Sequence, residues 1–188
     1  LFSGDELLYV LAKDRMLQKQ HITGVVGTLM TNKGVEEALN KLNIELLRAN
    51  VGDRYVLEKL VEKKWLLGGE SSGHLLILDK HTTGDGLISC LQILQACQRT
   101  NALLPELLSD VPLYHQVMVN VKLNPTLDWQ THAPFQQGCK DMQHKLGDHG
   151  RLLIRPSGTE PVLRIMVEAE DLMTAQSSVD HLVKLLDC

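Results

Sequence analysis

Apolar positions along the chain follow two regimes, and the change between them falls near Leu113. Before it, stretches with helical spacing alternate with short apolar runs. Leu7, Leu8, Leu11 and Met16 predict a helix over residues 6–20. Residues 23–30 are β-branched and apolar, as a strand buried on both faces should be. Residues 32–42 return to helix, with Val35, Ala38, Leu39 and Leu42 on one stripe. A short strand at 45–49 leads into Val51-Gly-Asp-Arg-Tyr55, which opens a helix to Lys63. Residues 65–68 and 74–79 read as two strands joined by a polar turn at 69–73. Thr82-Thr-Gly-Asp-Gly86 caps a helix reaching Asn101, and residues 103–113, broken by Pro105, Asp110 and Pro112, form a connector.

After Tyr114 the period shortens. Val117, Val119, Val121 and Leu123 alternate with polar residues, predicting a half-buried antiparallel strand over 116–123. A helix over 131–146, strands at 151–154 and 162–168, and a closing helix at 172–186 complete a β-α-β-β-α order. The chain is therefore expected to hold two domains. Residues 1–112 form an α/β domain whose mixed sheet is layered with helices, and residues 113–188 form a small α+β domain.

Composition narrows the function classes. A length of 188 residues suffices for one large or two small cores, and a net charge of -4 leaves no basic excess for nucleic acid or an anionic membrane. No apolar run approaches a membrane span, and the N-terminus lacks a basic-then-apolar signal pattern. Cys90, Cys97, Cys139 and Cys188 match no zinc-ligand spacing, and Cys90 and Cys97, two helical turns apart, are expected to share a buried face. A reducing cytoplasm is the expected compartment.

Two polar turns carry candidate chemistry. Arg155-Pro-Ser-Gly-Thr-Glu-Pro161 brings a guanidinium, two hydroxyls and a glycine backbone into one turn, and Arg164 follows three residues on. Arg155 offers a planar two-toothed fork, and the turn's N–H groups offer an anion nest, so a phosphate dianion suits it. The same residues also make an ordinary surface turn. In Gly68-Gly-Glu-Ser-Ser-Gly-His74, the Glu70 carboxylate can accept from two neighbouring hydroxyls of a sugar, with Ser72 and His74 as further donors or acceptors. A tight hairpin turn with a solvated Glu70 fits that composition equally well. Arg54 could approach a phosphate, though pairing with Asp53 or Glu58 is the commoner fate of such a side chain. Asp85 lacks nearby carboxylates and reads as a helix cap; no residue is assigned as a metal ligand, and no serine sits in a Gly-x-Ser-x-Gly elbow.

Taken together, Gly69-Glu-Ser-Ser-Gly-His74 and Arg155-Pro-Ser-Gly-Thr-Glu-Pro161 resemble the sugar-reading and phosphate-gripping loops of the α-D-phosphohexomutase superfamily. Residues 26–34, 51–59 and 78–86 are similar to its bacterial phosphoglucosamine mutase branch in particular. The resemblance implies an enzyme that interconverts glucosamine 6-phosphate and glucosamine 1-phosphate through a phosphoserine and a bisphosphorylated sugar, assisted by Mg²⁺. It implies that Glu70, Ser72 and His74 meet the sugar, that Arg155, Ser157, Gly158 and Thr159 hold the non-reacting phosphate, and that Arg164 and Arg54 are supplementary cations. Neutral-sugar mutases and a non-catalytic phosphosugar-binding domain are the alternatives.

The sequence departs from that family in one large respect. It contains neither a Thr-Ala-Ser-His-Asn-Pro-like phosphoserine loop nor an Asp-Gly-Asp-Gly-Asp metal loop. The expectation is a C-terminal part comprising the third and fourth domains. On that view the partners are a phosphosugar and the missing N-terminal domains, no metal is bound by this chain, and these residues alone have no mutase activity. No oligomeric state is assigned.

Overall fold

A computed structural model describes residues 1–122, 127–158 and 160–186. They group into two compact units, Leu1–Pro112 and Leu113–Cys188. Leu123 and Thr159, assigned above to a strand and to phosphate binding, lie outside the described residues, as does Cys188.

In the first unit, α1 (Gly4–Leu17) starts at a reciprocal cap. Glu6 Oε2 accepts from the Ser3 N–H at 2.7 Å, and Ser3 Oγ accepts from the Glu6 N–H at 3.4 Å. The helix ends three residues before the predicted point, because Lys19 turns left-handed at φ 59°. Strands β1 (Gly24–Thr28), β2 (Glu45–Ala49), β3 (Leu67–Gly69) and β4 (Leu75–Ile77) form one sheet in the order β2-β1-β3-β4. β1 runs parallel to both neighbours, and β4 is antiparallel to β3. Both strands of the β3–β4 hairpin are shorter than predicted.

Period-two alternation sends successive side chains to opposite faces of this sheet. Val25, Leu46, Leu67 and Leu75 pack with α1, with α2 (Lys33–Lys41) and with α4 (Gly86–Thr100). Val26, Ala49 and Leu76 pack instead with Val56 and Leu60 of α3 (Asp53–Lys63). Helices thus cover both faces, which explains why residues 23–30 are apolar throughout rather than alternating. The predicted connector contains a short helix, α5 (Leu104–Leu107), with Pro105 in its first turn, where a missing N–H costs nothing. Cys90 is exposed and Cys97 only half-buried, contrary to the expected shared buried face. The buried stripe of α4 runs through Ser89, Ile93 and Ala96, and the cysteines at 90 and 97 each fall one position past it.

The second unit carries β5 (His115–Lys122), β6 (Gly150–Pro156) and β7 (Val162–Ala169) in the fully antiparallel order β5-β7-β6. Leu163, Ile165 and Val167 of the central strand pack beneath α6 (Ala133–Leu146) and α7 (Leu172–Lys184), against Phe135, Cys139, Val179 and Leu182. The even-numbered residues of β7 point to the other face and are the ones that carry charge. There Glu168 is fully buried, held by Arg151 Nε at 2.6 Å and by Gln116 Nε2 at 2.8 Å. Among the described residues no helix is long and apolar enough to cross a membrane.

Candidate functional site

The loops that follow β2 and β3 lie at the carboxyl ends of parallel strands, where open α/β sheets place their ligands. Gly69 ends β3, and Glu70–His74 closes a tight turn. The Gly73 N–H donates to the Glu70 carbonyl at 2.9 Å, and the Glu70 N–H donates to the His74 carbonyl at 3.0 Å. Two other segments hold this turn from outside. The Gly4 N–H, at the first turn of α1, donates to the Ser71 carbonyl at 3.0 Å. The approach is so close that a Cβ on residue 4 would lie 2.0 Å from the Glu70 carbonyl oxygen and 2.6 Å from the Gly73 nitrogen. From the loop after β2, the Gly52 N–H donates to Glu70 Oε1 at 2.8 Å. That bond spans the end of β1 and fixes the carboxylate without neutralising it.

His74 stands across the same turn. Its Nδ1 lies 3.7 Å from Asp53 Oδ2, and its ring rests against the backbone of Gly84. Asp53, Arg54, Leu57, His74, Leu76, Thr83 and Gly84 line a cavity of about 320 Å³. Arg54 is largely exposed and pairs with Glu58 at 2.9 Å, one helical turn on; that pairing raises its already high pKa. Ser72 is exposed. Asp85 takes the capping role its surroundings predicted: its carboxylate accepts from the Ile88 N–H at 2.9 Å at the start of α4. The structure therefore brings Glu70, His74 and Arg54 to one end of the first sheet.

The second candidate site lies on the face of the second sheet opposite α6 and α7. Arg155 on β6 and Arg164 on β7 are register partners. Both Nε atoms are buried and meet no hydrogen-bond partner, and an Nη of Arg164 lies 3.7 Å from a Glu160 carboxylate oxygen. Burial, and then the charge of Arg164, lower the pKa of Arg155 from its ordinary value. Two guanidinium groups held face to face in this way repel unless an anion lies between or above them. The backbone nest is narrower than the sequence suggested. The Ser157 N–H donates to the Val162 carbonyl at 2.9 Å, and the Val162 N–H donates to the Glu160 carbonyl at 2.8 Å. Those donors close the hairpin and are not free for an anion, and Gly158 beside them is exposed.

Sequence reasoning missed three elements of these sites: the Gly52 N–H, the Asp53 carboxylate facing His74, and the backbone of Gly84 beneath the imidazole. Only the first two carried a signal, since Gly52-Asp-Arg54 is a polar turn at a strand end. Among the described residues no group of three His, Cys, Asp or Glu side chains converges into a metal site, so the donor set does not fit a bound divalent ion.

Comparison with known proteins bears on both units. Residues 3–114 match the model described as phosphoglucomutase/phosphomannomutase, alpha/beta/alpha domain III, and residues 118–185 match that of the phosphoglucomutase/phosphomannomutase C-terminal domain. The chain is 59% identical over 171 residues to the phosphoglucosamine mutase of Acidovorax sp. (strain JS42), covering 91% of this chain and 38% of that protein. It is 52% identical to that of Variovorax paradoxus (strain S110), covering 100% of this chain and 42% of the relative. The chain thus spans about two fifths of the length of these relatives. Among solved structures, the N-acetylphosphoglucosamine mutase of Aspergillus fumigatus in complex with GlcNAc-6P and magnesium superposes with a TM-score of 0.74 at 19% identity, covering 97% of this chain and 46% of the other. A phosphoglucomutase/phosphomannomutase family protein from Burkholderia thailandensis gives 0.74 at 19% identity, covering 99% and 42%. At these identities the structural matches speak for the fold alone.

Proposed function

The chain belongs to the phosphoglucomutase/phosphomannomutase family, and from that premise we propose that it is the substrate-holding part of a phosphoglucosamine mutase. In the intact enzyme it would help interconvert glucosamine 6-phosphate and glucosamine 1-phosphate. The observation that carries this reading is the facing pair Arg155–Arg164, with both Nε atoms buried and unmet. A phosphate dianion supplies the acceptor oxygens these donors lack, in bidentate geometry, and screens one cation from the other.

Each loop has one task in this mechanism. The arginine pair grips the phosphate that is not reacting, with Ser157 and Gly158 beside it. Glu70, fixed through Oε1 by Gly52, turns its charge toward the hydroxyls or amino group of the sugar, with Ser72 and His74 beside it. Arg54 is a supplementary cation at the rim. Holding the substrate is a large share of catalysis here, because phosphoryl transfer depends mainly on positioning and on charge stabilisation. A substrate that offers either phosphate must be gripped by the other, and the arginine pair binds a dianion without regard to which end of the sugar bears it.

The residues that exchange the phosphoryl group are not among these 188. No serine here sits in a phosphoserine loop, and the described residues offer no donor set for Mg²⁺. The ion, present in the Aspergillus complex, belongs in this reading to other parts of the enzyme. Calorimetry with the purified chain tests the proposal. Glucosamine 6-phosphate should bind more tightly than glucosamine, without turnover to glucosamine 1-phosphate. Equal affinity for the two, or measurable turnover, would refute it.

A further inference from the structure

We propose that Gly84 is a positioning residue for the imidazole of His74, and that it influences sugar binding only through that ring. The second clause rests on the reading of the Glu70–His74 loop given above. A Cβ on residue 84 would lie 1.9 Å from His74 Nε2 and 2.0 Å from Cδ2, distances no real side chain tolerates. The imidazole therefore uses space that exists only because residue 84 lacks a side chain.

Which partner would yield to a methyl group follows from how each is held. Gly84 is joined directly to Asp85, whose carboxylate caps α4 and whose carbonyl accepts from Ser89 Oγ at 2.7 Å. On its other side, the Thr83 N–H donates to His81 Nδ1 at 3.3 Å. Its backbone is thus tied to the helix start and to the preceding turn. The His74 backbone is held too, because its carbonyl accepts from Glu70. The His74 side chain is 41% exposed and free to take another rotamer. A methyl at 84 moves the ring and leaves the fold in place. In doing so it takes Nδ1 away from Asp53 and changes the wall of the 320 Å³ cavity that both residues line.

This links a turn that otherwise serves only to start a helix to a side chain in the same turn as the sugar-reading carboxylate. Thr82-Thr-Gly-Asp-Gly86 has two jobs on this view: Asp85 begins α4, and Gly84 seats His74.

NMR of the purified chain tests the placement directly. With the His74 ring assigned by its loss in His74→Gln, the wild-type chain should give a nuclear Overhauser contact between a ring proton and the Gly84 Hα protons. In Gly84→Ala that contact should vanish and the ring resonances should shift, while the melting temperature stays close to wild type. Calorimetry with glucosamine 6-phosphate supplies the functional arm. Each single variant should weaken binding by about three- to tenfold, the worth of roughly one hydrogen bond. Gly84→Ala/His74→Gln should bind no more weakly than His74→Gln alone. A missing wild-type contact, or a double variant showing the product of the two losses, overturns the proposal. A chain that gives the contact yet binds no hexose phosphate supports the placement and refutes the substrate reading instead.

Discussion

Arg155 and Arg164 face each other on neighbouring antiparallel strands, and each buries an Nε that no acceptor meets. Facing like charges cost a sheet stability. Arg155→Met should therefore stabilise the free chain slightly, by up to about 1 kcal/mol in urea denaturation, while abolishing the extra stability conferred by inorganic phosphate. A variant that is destabilised, or that still gains from phosphate like wild type, would remove Arg155 from the site.

On the proposed reading Glu70 has two parts to play, and two substitutions separate them. Glu70→Gln keeps an oxygen to accept from the Gly52 N–H but loses the charge, whereas Glu70→Ala loses both. The first should leave the melting temperature near wild type and weaken glucosamine 6-phosphate binding by about 1.5–3 kcal/mol, the range for a hydrogen bond to a charged group. The second should weaken binding at least as far and also lower stability, by about 1 kcal/mol, for the backbone donor left unmet. Equal stability losses in the two variants would contradict this division.

The fold was more legible in the chain than the site, and the reason is range. Val25 and Val26, or Ile165 and Met166, announce their strands by local periodicity, which is all that a layered sheet requires. The glutamate and arginine of the two loops were visible because they sit in polar turns between apolar runs. Gly84 was not, since nothing near it in sequence says that residue 74 will rest on it. The same limit applies to Arg155 and Arg164. Their nine-residue separation suggested two forks, but only the β6–β7 register makes them face one another.

A second long-range contact predicts how the first unit responds to pH. Tyr9 Oη donates to Asp110 Oδ2 at 2.6 Å, and Lys13 Nζ reaches Asp110 Oδ1 at 3.0 Å. Burial opposes ionisation of Asp110, but the bonds from Tyr9 and Lys13 outweigh it and hold its carboxyl below the ordinary range. A lowered carboxyl contributes stability above its unfolded pKa, and that contribution is lost as pH falls through the folded value. Burial first, then Asp110, pushes the Tyr9 phenol well above its ordinary value. The folded state is thus penalised once the unfolded phenol ionises, near pH ~10. Stability of the first unit should hold across neutral pH and fall at both extremes. Tyr9→Phe should flatten the alkaline limb and weaken the acid one in melting curves recorded against pH.

Glu168 offers the sharpest test of what holds the second unit together. It is fully buried in the central strand, and Arg151 and Gln116 flank it on either side through bonds to separate oxygens. Coulomb attraction at such a site is offset by the cost of removing both charges from water, so the pair adds little net stability. Breaking it is another matter, because the Glu168 carboxylate then stays buried without the Arg151 charge. Arg151→Met should cost about 3–5 kcal/mol, whereas Glu168→Gln/Arg151→Met, which buries no charge, should recover much of that loss. The second unit should lose stability in the single variant and regain it in the double, as read from amide exchange of β7. A double variant as unstable as the single would mean that the ion pair itself, rather than the avoided burial of an uncompensated carboxylate, stabilises this sheet.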